Sequence, residues 1–183
     1  QGLAQEAQPP EEQQEHGRAM PDLPTKAPIE EPYALLLHDE GASHVPLDLE
    51  KAPALIIAAA RPEARSPGKV GEIARDFARQ AVTEGAKAAS DHFSCNIAKW
   101  DDTQSLADIL AAAGVERVAT PYLPMGWTRD ALWSGLSTLQ SQGELTQMVS
   151  DLDRETWPHA RAGFFRIKKA IPEILGELGI AGG

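Results

Sequence analysis

Two short runs with no polar residue in alternation, Tyr33-Ala34-Leu35-Leu36-Leu37 and Ala54-Leu55-Ile56-Ile57-Ala58-Ala59-Ala60, most restrict what this chain can fold into. A strand with one wet face alternates apolar and polar side chains. A strand covered on both faces has no such need, so unbroken apolar runs of this length are the mark of a parallel sheet packed between helices. From Val70 to His92 the period changes: Val70, Ile73, Ala74, Phe77, Ala78, Ala81 and Val82 recur at helical spacing, with Glu72, Arg75, Asp76 and Arg79 between them. This predicts a crossover helix with those apolar residues as its inner face.

The alternation continues along the chain. Asn96 to Trp100 reads as a third strand, and a helix from about Ser105 to Ala113 is closed by Gly114, where a left-handed C-terminal residue is expected. Val115 to Thr120 supplies a fourth strand, and Thr128 is placed to cap a helix running to about Gln140, with Asp130 favourable in its first turn. Thr146 to Ser150 is a weaker fifth strand. The last helix, from about Gly163 to Leu178, contains Pro172, which should start a new turn or kink it. The predicted fold class is therefore α/β: an open, mostly parallel, five-stranded Rossmann-like sheet with helices on both faces. One connection is irregular. Only Gly41 to Pro53 joins the first two strands, which leaves room for an extended loop or a short helix around Leu47 to Lys51.

Composition divides the chain in two. Residues 1–32 are rich in Gln, Glu and Pro and carry seven acids against Arg18 and Lys26, so they are expected to be a disordered linker tethering residues 33–183, the α/β domain. The formal net charge of −10 opposes unaided attraction to phosphate backbones. Cys95 is the only cysteine, so neither an intrachain disulfide nor a multi-thiolate metal site can form, and a reducing cytoplasm is the expected compartment. No apolar run approaches the roughly 20 residues needed to span a bilayer, and no membrane association is expected.

Familiar catalytic signatures are missing. The sequence has no G-x-G-x-x-G, no G-x-x-x-x-G-K-[ST] and no G-x-S-x-G, and the first strand exits through Asp39 and Glu40, which repel phosphate. His38, Asp39 and Glu40 with His44 offer imidazole and carboxylate groups, but their spacing matches no standard metal site, and turn chemistry explains them better; no metal is expected. Asp101-Asp102-Thr103 precedes a helix and reads as a cap. Cys95, at the start of a strand with no neighbouring His, reads as an inert thiol.

The aromatic and basic groups concentrate in two stretches that follow predicted strands, Tyr122 to Asp130 and Asp151 to Phe165. Loops at the carboxyl ends of parallel strands are where open α/β sheets bind ligands. Most of these side chains are expected to pack helices or face water. The candidates for a docking or chromophore-facing surface are Tyr122, Trp127, Arg129, Trp157, His159, Arg161 and Phe165, because flat rings beside guanidinium groups bind at low entropic cost. His38, Asp39 and Arg61 form a candidate ligand edge.

Four strings together carry a family resemblance: Tyr33 through Glu40, Ala58-Ala59-Ala60-Arg61-Pro62-Glu63-Ala64-Arg65-Ser66, Tyr122 through Asp130, and Ser150-Asp151-Leu152-Asp153 through Phe165. They resemble the Rossmann-like α/β domain of bacterial FAD-binding proteins of the DNA photolyase and cryptochrome family, over residues 33 to about 178. The resemblance implies a full protein with FAD in a separate all-helical domain, absent from this sequence, which performs light-driven repair of damaged DNA or photoreception. It also implies that the α/β domain packs on that helical partner, meets DNA only through it, and can hold an antenna chromophore of unspecified identity. The Arg-rich exit expected after the first strand is replaced here by His38-Asp39-Glu40. On this reading the present chain alone catalyses nothing. The alternatives are a freestanding adenine-nucleotide module with its ligand near Asp39, Arg61 and Trp127 and, ranked last, a hydrolase or metal enzyme using His38, Asp39 and His44.

Overall fold

Strand β1 (Tyr33–His38) is buried along its whole length, as its uninterrupted apolar sequence requires. The computed structural model describes residues 23–26, 28–101, 103–160 and 164–180. Within them β1 is the central strand of a five-stranded sheet completed by β2 (Leu55–Ala59), β3 (Asn96–Lys99), β4 (Arg117–Pro121) and β5 (Leu145–Met148). The spatial order is β3-β2-β1-β4-β5 and every pairing is parallel. Strand order reverses between β1 and β4, so the crevice above their carboxyl ends is the topological switch point.

Helices α1 (Glu72–Phe93), α2 (Leu106–Ala113) and α3 (Trp127–Gln142) connect the later strands. On one face of the sheet Ala34, Leu36, Ile57 and Val118 pack against Ile109 and Leu110 of α2 and Leu132 and Leu136 of α3. On the other, Leu35, Leu37, Ile56 and Ala119 meet Ala86 and Ala89 of α1. The connection from β1 to β2 contains no helix. Its Leu47 and Leu49, together with Ile29 from the N-terminal side, cover the sheet where a crossover helix would lie. Residues 23–26 and 28–32 therefore run against the domain although their composition predicts a disordered linker; residues 1–22 lie outside the described part.

Local sequence explains most helix ends. Ser105 caps α2 by accepting a hydrogen bond from the Asp108 N–H, and Gly114 closes it at φ 65°, as expected. Asp101 does not cap α2: it accepts hydrogen bonds from the N–H and hydroxyl of Thr103 in a turn before the helix, and Asp102 lies outside the described residues. Three other expectations need correction. Helix α3 starts at Trp127 with Gly126 as its N-cap, so Thr128 lies inside the first turn, buried, and caps nothing. The inner face of α1 is Ala78, Val82, Ala86 and Ala89, whereas Ile73 and Phe77 are 88% and 72% exposed. The stretch after β5 is no loop: it forms α4 (Asp151–Thr156) and a 3-10 turn (Trp157–His159) before α5 (Phe164–Glu177), which continues through Pro172.

Candidate functional site

The carboxyl rim is built from the tight turn after β1, the 3-10 turn Pro62–Arg65 after β2, Trp100 after β3, the segment from Tyr122 to Gly126 after β4, and α4 after β5. At its centre His38 is fully buried. Its Nε2 lies 3.1 Å from the Pro121 carbonyl oxygen, and the Glu40 N–H donates to Nδ1 at 3.2 Å. Both ring nitrogens are used, which fixes a neutral imidazole with the proton on Nε2. Burial holds its pKa below the ordinary imidazole value, against smaller opposing effects of Pro121, Glu40 and Asp39. The reciprocal bonds between the His38 and Gly41 backbones, 3.2 and 3.0 Å, close the turn. A Cβ on Gly41 would fall 2.4 Å from the Pro121 Cβ. The switch point is thus closed by packed protein atoms.

On one side of this seam Asp39 and Arg61 are brought together, as the sequence suggested for a ligand edge: the Arg61 N–H donates to Asp39 Oδ2 at 2.6 Å. The Arg61 guanidinium donates to the carbonyls of Ala60 and Trp100 and lies 4.7 Å over the Trp100 ring. Asp39 Oδ1 is buried without a hydrogen-bond partner among the described residues. A cavity of ≈650 Å³ opens beside Arg61, with Lys99 and Asp101 on one wall and Glu63 and Arg79 on another. The Thr103 hydroxyl, then Lys99, hold the Asp101 carboxyl well below the usual carboxylate range. Trp100 escaped the sequence reading as a rim residue; its place at the end of a short strand was the available signal.

The proposed aromatic surface divides into separate contacts. Trp127 is stacked by Arg65 at 5.5 Å and Trp133 by Arg129 at 4.3 Å. Tyr122 meets Trp157 edge to face at 6.2 Å. Phe165 is 75% exposed and touches Phe164 at the start of α5. His159 ends the 3-10 turn, half-buried, and Arg161 lies outside the described residues.

The remaining imidazole candidate, His44, packs on the rings of His92 and Phe93, away from the ligand set imagined with His38 and Asp39. Among the described residues no group of three or more His, Cys, Asp or Glu converges as metal ligands. Burial pushes the Cys95 thiol pKa up, which disfavours the nucleophilic thiolate. Among the described residues no helix is long and apolar enough to cross a membrane.

The fold is that of an open, all-parallel α/β sheet of the doubly wound type with one crossover helix missing. No protein-family model, no curated protein and no solved structure matches the chain.

Proposed function

We propose that this chain is an accessory α/β module of a photolyase-like flavoprotein, catalytically silent alone, which docks through its carboxyl rim on a helical domain that carries FAD. The observation that carries the reading is the closed seam of His38, Gly41 and Pro121, which fills the position a nucleotide phosphate takes in sheets of this topology. The half-buried Trp127, stacked by Arg65, together with the exposed Phe164 and Phe165, suits a protein surface better than a small ligand. The resemblance of residues 33 to about 178 nominates the partner. Damaged DNA would be met through that partner, since the net charge of −10 gives this chain no electrostatic grip of its own. The single cysteine favours the cytoplasm as its compartment.

The test is sedimentation velocity of the purified chain mixed with a flavin-loaded helical domain of the photolyase type. A one-to-one complex weakened by Trp127→Ala or Phe165→Ser is expected. Light-dependent splitting of pyrimidine dimers by the chain alone would overturn the proposal. One observation favours a second reading, a freestanding adenine-nucleotide module: the ≈650 Å³ cavity beside Arg61 is of ligand size and lies at the carboxyl edge. Calorimetry with ATP, AMP and FAD separates the two, because micromolar binding of an adenine nucleotide without a helical partner supports only the second.

A further inference from the structure

Residues 23–26 have no regular secondary structure, yet they lie across the rim on the far side of the seam from Arg61. Leu23 forms part of the wall of a groove of ≈410 Å³ that Tyr122, Pro124, Met148 and Trp157 also line. One residue on, the Pro24 carbonyl accepts a hydrogen bond from Arg154 Nη2 at 3.0 Å. Two residues further, Lys26 Nζ lies 3.0 Å from Asp48 Oδ2 and 3.7 Å from Asp151 Oδ1. A groove wall with aromatic rings, a guanidinium that binds backbone and a pair of carboxylates thus follow one another beneath one extended segment, each meeting a different residue of it. Extended segments that contain proline lose little conformational freedom on docking, and aromatic-walled grooves are a recurrent way to hold them.

Two features separate this contact from ordinary core packing. Lys26, Asp48 and Asp151 are all more than half exposed, so their ion pairs bind the segment only weakly. The sheet face, meanwhile, is covered by Ile29, a packing contact with the core that residues 23–26 do not supply. The residue that completes the core is thus separate from residues 23–26.

We infer that the surface beneath residues 23–26 is a recognition site for an extended peptide segment of the form apolar–Pro–x–Lys, engaged in this chain by its own residues 23–26 and available to another segment of that chemistry when they are displaced. The site needs neither a flavin nor a helical partner, so it stands independently of the function proposed above.

The experiment compares the full chain with a chain that begins at residue 28, using a capped synthetic peptide of residues 21–27 as the probe. Tryptophan emission, to which Trp157 beside the groove contributes, and calorimetry report binding. The shortened chain is expected to bind the peptide about tenfold or more tighter than the full chain does, because no internal competitor holds Arg154, Asp48 and Asp151. In the peptide, Leu23→Ala is expected to abolish binding, and Lys26→Gln to weaken it severalfold with loss of the salt dependence. If circular dichroism finds the shortened chain unfolded, the full-length double variant Leu23→Ala, Lys26→Gln replaces it, with the same gain in peptide binding expected. Failure of the folded shortened chain, or of that double variant, to bind the peptide overturns the inference. So does equal binding of a scrambled peptide.

Discussion

Replacement of His38 by leucine tests whether the seam at the switch point is a structural clamp. Leucine fills most of the imidazole volume but offers no hydrogen bond, so the buried Pro121 carbonyl loses its partner, at about 1–3 kcal/mol. The Glu40 N–H sits in a partly open turn where water can reach it, and its lost bond adds about 0.5–1.5 kcal/mol. The expected loss is about 2–4 kcal/mol in urea unfolding at neutral pH, a large share of the roughly 5–15 kcal/mol of a typical domain. A second signature lies in the pH dependence. Burial depresses the His38 pKa in the folded chain, so below the ordinary imidazole value the unfolded chain holds more protons than the native one. Stability from this group is complete above about pH 6.5 and declines as pH falls below it, by at most about 1.4 kcal/mol per pH unit. His44, depressed by burial and then by His92, acts in the same direction. The wild type should therefore show an acid-side slope that His38→Leu reduces without removing. A variant that costs under about 0.5 kcal/mol and keeps the full slope would refute the clamp.

Three further outcomes follow from the same geometry. Gly41→Ala drives a methyl group into Pro121, at 2.4 Å from its Cβ, and is expected to lower the thermal midpoint through about 1–3 kcal/mol of overpacking, measured by calorimetry. Tyr33→Phe removes the 2.5 Å hydrogen bond from the phenol to the Lys51 carbonyl and should cost about 1 kcal/mol in urea unfolding. Burial, then the Glu31 charge, push the Tyr33 pKa up to about 12, so ultraviolet titration should find a late-ionising phenol that this variant lacks. Ser105→Ala deletes the α2 cap and should cost about 1 kcal/mol, read by circular dichroism in urea.

The sheet was legible because β1 and β2 are so apolar that no other burial satisfies them, and because Gly114 and the capping Ser105 mark the ends of α2. The inner face of α1 was not legible. Its buried stripe consists largely of alanines, which carry little hydrophobic signal, whereas the conspicuous Ile73 and Phe77 point to solvent. Helix α4 escaped notice because its six residues are mostly polar and none is buried; only the Ser150 and Asp153 pair, a reciprocal cap, announced it. The docked part of the N-terminal side was hidden for a different reason. Its Pro and Glu content is that of a disordered chain, and what holds it is one isoleucine and scattered ion pairs whose partners are distant in sequence. Asp39 and Arg61 were placed on one edge of the sheet by sequence, but their hydrogen bond and the ring of Trp100 beneath Arg61 depend on sheet register, which local sequence does not encode.

The weld between the turn after β1 and the start of the segment after β4 has an architectural result. It partitions the upper edge of the sheet into two berths, ≈650 Å³ beside Arg61 and ≈410 Å³ beside Trp157, with a wall of proline, glycine and imidazole between them. A long cofactor that straddles the centre of such a sheet has no trough in which to lie. A molecule seated in one berth would meet that wall before it reached the other.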